Sequence, residues 1–269
     1  MAKRHSDERG FALLTVLWTV GLLALFGTQI AADGRLAVRL AANIRSGAEL
    51  EAAADAGLHE AIFRLLDRSD GRWRADGVWR RVGSPRGEVA VLLESLDGKI
   101  NPNIALVDLL SALFRQLGVA RDDAFRIATR IQEWRVPGRW PRTLQVKADE
   151  YRAAGRDYGP PGAAFHTLDE LRLVLGMTPE LFERVRPHLS VHTVDDPDRG
   201  VADPLVQRAM VDAAGPRGYD NPGRGRDRAV AVTAVASGRE GGRFVRRAVV
   251  QVGGAGGRPW RVVALEDDR

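Results

Sequence analysis

The chain begins MAKRHSDERG (residues 1–10) and continues FALLTVLWTVGLLALFGTQI (residues 11–30). The opening residues are polar and carry Lys3, Arg4 and Arg9, whereas residues 11–30 hold no charge. An α-helix rises about 1.5 Å per residue, so a segment of that length reaches roughly 30 Å, the thickness of a bilayer's hydrocarbon core. The basic flank favours a cytoplasmic start and export of everything after Ile30. A cleavable secretory signal has a shorter apolar core and a small-residue cleavage site after it. A plain signal anchor fits the length but does not account for the junction Arg9-Gly10-Phe11.

Beyond this segment, Leu36, Leu40, Ile44, Ala48, Leu58, Ile62, Leu65 and Leu66 recur at helical spacing. They predict one stripe of an amphipathic helix that prolongs the apolar segment. Arg35, Arg39, Arg45, Glu49, Glu51 and Asp55 occupy much of its other surface, and Asp67-Arg68-Ser69-Asp70-Gly71 reads as the turn that ends it. Two strand candidates follow at residues 78–82 and 88–96. Strand character returns only near the C-terminus, at residues 229–237, 244–252 and 260–265, separated by Gly-rich turns.

The intervening residues read as mostly helical. Residues 102–117 and 121–134 predict two helices separated at Gly118, and 137–161 is loop-rich. Residues 167–175 and 179–189 predict a helix pair, with Thr167 as N-cap ahead of Glu170. Residues 203–214 offer one more short helix, and 215–228 an exposed loop. The predicted fold class is α+β: a long N-terminal helix, transmembrane and then amphipathic, packed on an antiparallel sheet that carries a large helical insertion.

Composition narrows the function. The formal net charge is +5, and Lys contributes only Lys3, Lys99 and Lys147 to the basic total. Asp and Glu nearly balance the Arg residues, so charge alone does not mark a nucleic-acid surface. Cys is absent, which excludes disulfides, thiolate metal sites and Cys nucleophiles. The chain lacks a Gly-x-Ser-x-Gly elbow, a phosphate-binding loop and a His-Glu-x-x-His motif, so it is expected not to be an enzyme. The Trp residues, Trp73, Trp79, Trp134 and Trp140 among them, read as core and interface material.

Three local patterns suggest ligands. Leu175-Gly176-Met177-Thr178 between two helices evokes a helix-hairpin-helix turn that grips phosphate through backbone N–H groups. The second Gly of that turn is replaced here by Thr178, and Pro179 has no N–H, so a packing role is favoured. Asp195-Asp196-Pro197-Asp198 has the oxygen density of a Ca²⁺ loop without EF-hand spacing, and a solvated acidic turn is the favoured reading. His188 and His192 are four apart, but Pro187 and the nearby helix end argue against a shared metal.

The leader ending in Gly10 ahead of Phe11 and an apolar helix resembles a type IV prepilin leader. Residues 96–105 (LDGKINPNIA) and 165–181 (FHTLDELRLVLGMTPEL) resemble the helical domain of the K-type minor pseudopilins of type II secretion systems. The stretch Asp157-Tyr158-Gly159-Pro160-Pro161 precedes the second motif, as in that family. The motif positions are Gly98, Asn101, Asp169, Glu170, Leu171, Gly176 and Met177. The resemblance implies cleavage after Gly10 by prepilin peptidase and methylation of Phe11. It implies that Thr15, where most pilins have Glu, marks a tip subunit with no earlier neighbour to pair with.

By resemblance the chain divides into a leader (1–10), a transmembrane part (11–30) and a periplasmic part (31–70) of one helix. A pseudopilin sheet (71–97 and 226–269), a SAM-like or helix-hairpin-helix-like insertion (98–200) and a short second helical unit with a loop (201–225) complete it. The implied function is initiating and capping the pseudopilus for export of folded proteins across the outer membrane. Implied partners are the I- and J-type minor pseudopilins, the major pseudopilin filament, prepilin peptidase, the inner-membrane assembly platform, the secretin and secreted substrates, with no nucleic acid. The implied location is the inner membrane, single-pass, with the C-terminal domain in the periplasm. No cofactor is expected. Ca²⁺ is the one candidate, but where the family commonly has acidic residues after Trp134 this chain reads Arg135-Val136-Pro137. The rival functional readings are a membrane-anchored periplasmic DNA-binding tip pilin and an anchored periplasmic enzyme.

Overall fold

The computed structural model describes residues 5–84, 87–136, 141–214, 228–238, 241–253 and 260–268. Its first element, α1 (His5–Leu66), is one continuous helix of 62 residues, about 93 Å long at the α-helical rise. Among the described residues, only its last third meets the rest of the chain. Leu50, Ala53, Ala54, Leu58, Ala61, Ile62 and Leu65 are buried, at helical spacing on one face. The predicted stripe was longer. Leu40 and Ile44 are well exposed, because no other part of the described residues reaches that far along the helix, and the side chain of Leu36 lies outside the described residues.

The buried face of α1 rests on a five-stranded antiparallel sheet made of β1 (Asp76–Ser84), β2 (Gly87–Ser95), β3 (Arg228–Ser237), β4 (Arg243–Val252) and β5 (Trp260–Asp268). The strands lie in sequence order, so the long insertion between β2 and β3 leaves the meander intact. Alternate residues face the helix, as strand geometry requires: Val89, Val91 and Leu93 on β2, and Val230, Val232, Ala234 and Ala236 on β3. Gly57 permits the close approach. A Cβ there would lie 2.5 Å from Val89 Cγ1 and 3.3 Å from Val91 Cγ2.

The inward row of β4 reads Phe244, Arg246, Ala248, Val250, and one of these is a charge. Arg246 is only 6% exposed. Its guanidinium donates to Asp55 Oδ1 at 2.7 Å, Asp55 Oδ2 at 3.2 Å and Glu51 Oε1 at 3.0 Å, all on α1. A buried charge persists only when paired, and Glu51 and Asp55, themselves still partly exposed, reach the guanidinium from α1.

The insertion has its own core. It contains α2 (Val107–Gln116), α3 (Arg121–Arg135), α4 (Pro141–Ala153), α5 (Pro179–Val185) and α6 (Pro204–Ala214), with 3₁₀ turns at Leu168–Leu173 and Arg186–His188. Several details differ from the sequence reading. Residues 101–106 form a turn, so α2 starts five residues later than predicted. The region expected to be loop holds α4, which opens on Pro141, where a ring that fixes φ and lacks an N–H is tolerated. Residues 168–173 are 3₁₀ rather than α-helical. Leu168, Leu171 and Val174 pack on the core at intervals of three, the period of that tighter helix. α6 packs on α2 and contributes Val206, Ala209 and Met210 to the same core.

Candidate functional site

Two surfaces of this chain stand out: the bare N-terminal half of α1, and the helical head at the opposite end of the sheet. Their relative placement follows from contacts along α1. Leu50 lies against Gly238, just past the end of β3, whereas Gly57 lies against Ala234 further up that strand. The sheet positions that carry the insertion, Ser95 and Arg228, therefore lie toward the C-terminal end of α1. The head leaves the sheet on the side away from the apolar segment.

Along residues 11–29 the described side chains are exposed all round the helix, including Phe11 at 76%, Leu17 at 74% and Trp18 at 71%. A helix apolar on every side needs a covering medium, either protein or lipid. Its three hydroxyls need none. Thr15 Oγ1 donates to Phe11 O at 2.9 Å, Thr19 to Val16 O at 2.9 Å and Thr28 to Leu25 O at 2.7 Å. Back-bonding of this kind satisfies a hydroxyl within its own helix. Among the described residues no helix is long and apolar enough to cross a membrane. The side chains of Ala12 and Ile30 in the expected span, and the surroundings of Gly10 at the leader junction, lie outside the described residues.

At the junction of sheet and head, Asp97 ties three chain segments together. Its Oδ1 accepts Ala229 N–H at 2.8 Å, and its carbonyl accepts Asp198 N–H at 2.8 Å. Burial pushes its carboxyl above the ordinary range, against the lowering effect of the bonds from Ala229 and Ser95. Gly98 then packs directly on the 198–202 loop, where a Cβ would fall 2.6 Å from both Ala202 Cα and Val201 O. Asn101 is buried. Its amide donates to Thr193 O at 2.5 Å and its Oδ1 accepts Asn103 N–H at 2.8 Å.

The second motif is equally structural. Glu170 Oε1 accepts the N–H groups of His166 at 2.9 Å and Thr167 at 3.0 Å, the reciprocal half of the predicted capping box. Asp169 pairs with Arg172 at 3.2 Å, and Leu171 is completely buried. Gly176 has φ +90, and a Cβ there would sit 3.0 Å from Ile127. Met177 is buried, and its N–H donates to Val174 O at 3.0 Å. Thr178 Oγ1 accepts Leu181 N–H at 3.2 Å. The turn thus spends on itself two donors that a phosphate grip would present.

The other candidates separate in space. His188 Nδ1 meets Asp203 Oδ2 at 2.7 Å rather than His192. Asp198 Oδ1 accepts Gly200 N–H at 2.8 Å within its own turn. Among the described residues no group of three or more His, Asp or Glu could hold a metal ion. Trp134 lies deep in the head, its ring stacked on Phe165 at 5.9 Å and tilted against Tyr151 at 6.1 Å. Trp79 is half-exposed on β1, and Trp140 lies outside the described residues.

Sequence reasoning missed the Arg246 ion pairs and Arg135. The signal for the first was a charge at an inward position of an otherwise alternating strand. The signal for the second was a basic residue at the C-terminal end of a helix, where positive charge is favoured.

With this geometry in hand, residues 91–194 match the family model of the type II secretion system (T2SS), protein K. Residues 91–194 are thus similar to a protein K domain. That matched region runs from β2 through the insertion as far as the segment that closes on Asn101. The fold is similar to a chain in the crystal structure of the GspK-GspI-GspJ complex from the enterotoxigenic Escherichia coli Type 2 Secretion System. The TM-score is 0.57 and the identity 16%, over 83% of this chain and 94% of the other. No curated protein sequence matches the chain. The protein K resemblance read from residues 96–105 and 165–181 is therefore borne out, and family domain and fold together support a minor pseudopilin role.

Proposed function

We propose that this protein is the tip subunit of a type II secretion pseudopilus, initiating and capping the filament for export of folded proteins across the outer membrane. The observation that carries the reading is the position of the head, which emerges from the sheet at the end remote from the apolar part of α1. In a filament built by stacking such helices, the head lies where the next subunit's body would go. The uncovered half of α1 supplies the stem. Prepilin peptidase cuts after Gly10, and residues 11–30 then sit in the inner membrane and bundle with the stems of I- and J-type minor pseudopilins above the major pseudopilin. The body faces the periplasm, the assembly platform extrudes the filament, and the head meets secretin or substrate. No catalytic role is assigned, and no nucleic acid.

Thr15 supports the tip assignment. A carboxylate in lipid requires a partner, whereas this hydroxyl bonds to Phe11 O in its own helix and requires no neighbour. Mass spectrometry of the mature N-terminus, from cells with and without prepilin peptidase, tests the processing step. An N-methylated Phe11 that depends on the peptidase is the expected result, and an intact Met1 in both strains would refute it. Immunogold labelling of overproduced filaments tests the tip. Label confined to one end is expected, and label repeated along the shaft would overturn the reading.

A further inference from the structure

Arg135 closes α3, and its side chain folds back over the turn that opens the head. Nη1 donates to Pro102 O at 2.8 Å and Nη2 donates to Ala105 O at 2.7 Å. That turn is held from three other directions. Asn101 reaches Thr193 O, Asn103 exchanges hydrogen bonds with Phe165 N–H and O at 2.7 and 2.9 Å, and Ala105 N–H donates to Asn101 O at 2.9 Å. Two backbone carbonyls of one tight turn thus aim at a single point beside the C-terminus of a 15-residue helix. Converging hard oxygens are what a bare cation takes as ligands, and a helix C-terminus favours positive charge. Here a guanidinium stands at that point.

The arrangement is not a generic surface contact. Arg135 is half-buried and desolvation holds its pKa below the usual arginine value. Its Nε is buried without a hydrogen-bond partner, and among the described residues no carboxylate pairs with it. The charge is spent on the carbonyls. A divalent ion does not fit the same place, because the donor set offers these two carbonyls and no cluster of acids or histidines. The acidic turn at residues 195–198 uses Asp198 to hold its own Gly200 N–H. We propose that the Arg135 guanidinium is the built-in cation of the head. It orders the 101–106 turn without a bound divalent ion.

The test uses the full chain purified in detergent, with unfolding followed by tryptophan fluorescence and Ca²⁺ binding by isothermal titration. For the wild-type chain, the melting temperature in EDTA and in excess Ca²⁺ is expected to agree, and no Ca²⁺ is taken up. Arg135→Gln is expected to lower the melting temperature by several degrees in both conditions. Arg135→Glu is expected to lower it in EDTA and to recover part of the loss on adding Ca²⁺. Stabilisation of the wild-type chain by Ca²⁺ overturns the proposal, as does an Arg135→Gln variant that melts with the wild type. An Arg135→Glu variant that folds but ignores Ca²⁺ overturns the equivalence of guanidinium and metal. Because these readouts concern the stability and Ca²⁺ uptake of the isolated chain rather than its assembly, they stand or fall separately from the tip assignment.

Discussion

Replacing Gly98 by Ala tests whether head and sheet are one packed unit. Gly98 does not adopt a positive φ, so its backbone suits Ala and any cost is steric. The added Cβ would lie 2.6 Å from Ala202 Cα, 2.6 Å from Val201 O and 2.7 Å from Ala202 N. Non-bonded carbons prefer about 3.5–4.0 Å, so the two segments must separate by roughly 1 Å. All three neighbours are backbone atoms, which no rotamer change can move aside. The separation also strains the bond from Asp198 N–H to Asp97 O, now 2.8 Å. Overpacking costs about 1–3 kcal/mol and a lost hydrogen bond about 1 kcal/mol. The stiffer unfolded chain returns about 0.4–1 kcal/mol, leaving a net loss of about 2 kcal/mol. Urea denaturation measures it, with Gly47→Ala as control, since that helical position has nothing within 4 Å and gains about 1 kcal/mol in helix propensity. If Gly98→Ala matches the wild-type midpoint while the control behaves, the packing argument is wrong.

Other perturbations address the remaining contacts. Arg246→Ala removes the hydrogen bonds to Glu51 and Asp55, and a loss of about 2–3 kcal/mol is expected by denaturant titration. A double-mutant cycle with Asp55→Asn should return a coupling of at least about 0.5 kcal/mol, and strict additivity would reject the pair. Asn101→Ala strands buried carbonyls on the 191–193 segment and should cost about 2 kcal/mol in the same assay. Asp97 has a raised folded pKa, so its contribution to stability is greatest below the unfolded value near 3.9 and fades as pH rises through the folded value. Asp97→Asn keeps an acceptor for Ala229 N–H but cannot ionise. Its stability relative to wild type should therefore improve from pH 3 to pH 7 in denaturant titrations, and a flat difference would contradict the assignment. Thr15→Val should leave co-purification with I- and J-type partners unchanged, because the hydroxyl is satisfied by Phe11 O. Loss of the complex would show that Thr15 contacts a neighbour.

The architecture was legible where side chains repeat with a clear period. Alternating Val and Ala in residues 229–237, and Leu58, Ile62 and Leu65 on α1, disclosed sheet and helix because each side chain faces one way. Features set by contacts distant in sequence were not legible. Arg246 meets Asp55 across 191 residues, and from sequence Glu51 and Asp55 look like any solvated helix face. The 3₁₀ turn at Leu168–Leu173 carries an α-helical capping box, so its start was readable while its winding was not. Helix α4 was masked by the Pro and Gly residues on both sides of it. Gly98 and Asn101 could be singled out as motif positions, but only the folded chain explains them. One leaves room for the Ala202 backbone, and the other holds a carbonyl 92 residues away.

These contacts also bear on how a force applied to the stem would reach the head. Stem and sheet are locked by a buried charge pair and a glycine-sized gap, at Arg246 and Gly57. Sheet and head are locked by Asp97 on Ala229, by Gly98 on Ala202, and by Gln251 donating to His192 O at 3.4 Å. Among the described residues both joints are short-range steric and hydrogen-bonded contacts, so a push along α1 is passed to the head through them. A subunit proposed to press on an outer-membrane channel needs that stiffness. It follows that inserting a few glycines after Leu96 should spare folding of each core yet uncouple the head. Secretion should then fail although the protein accumulates and still binds its partners. Normal secretion in such a strain would mean that the head works as a passive cover rather than as the end of a piston.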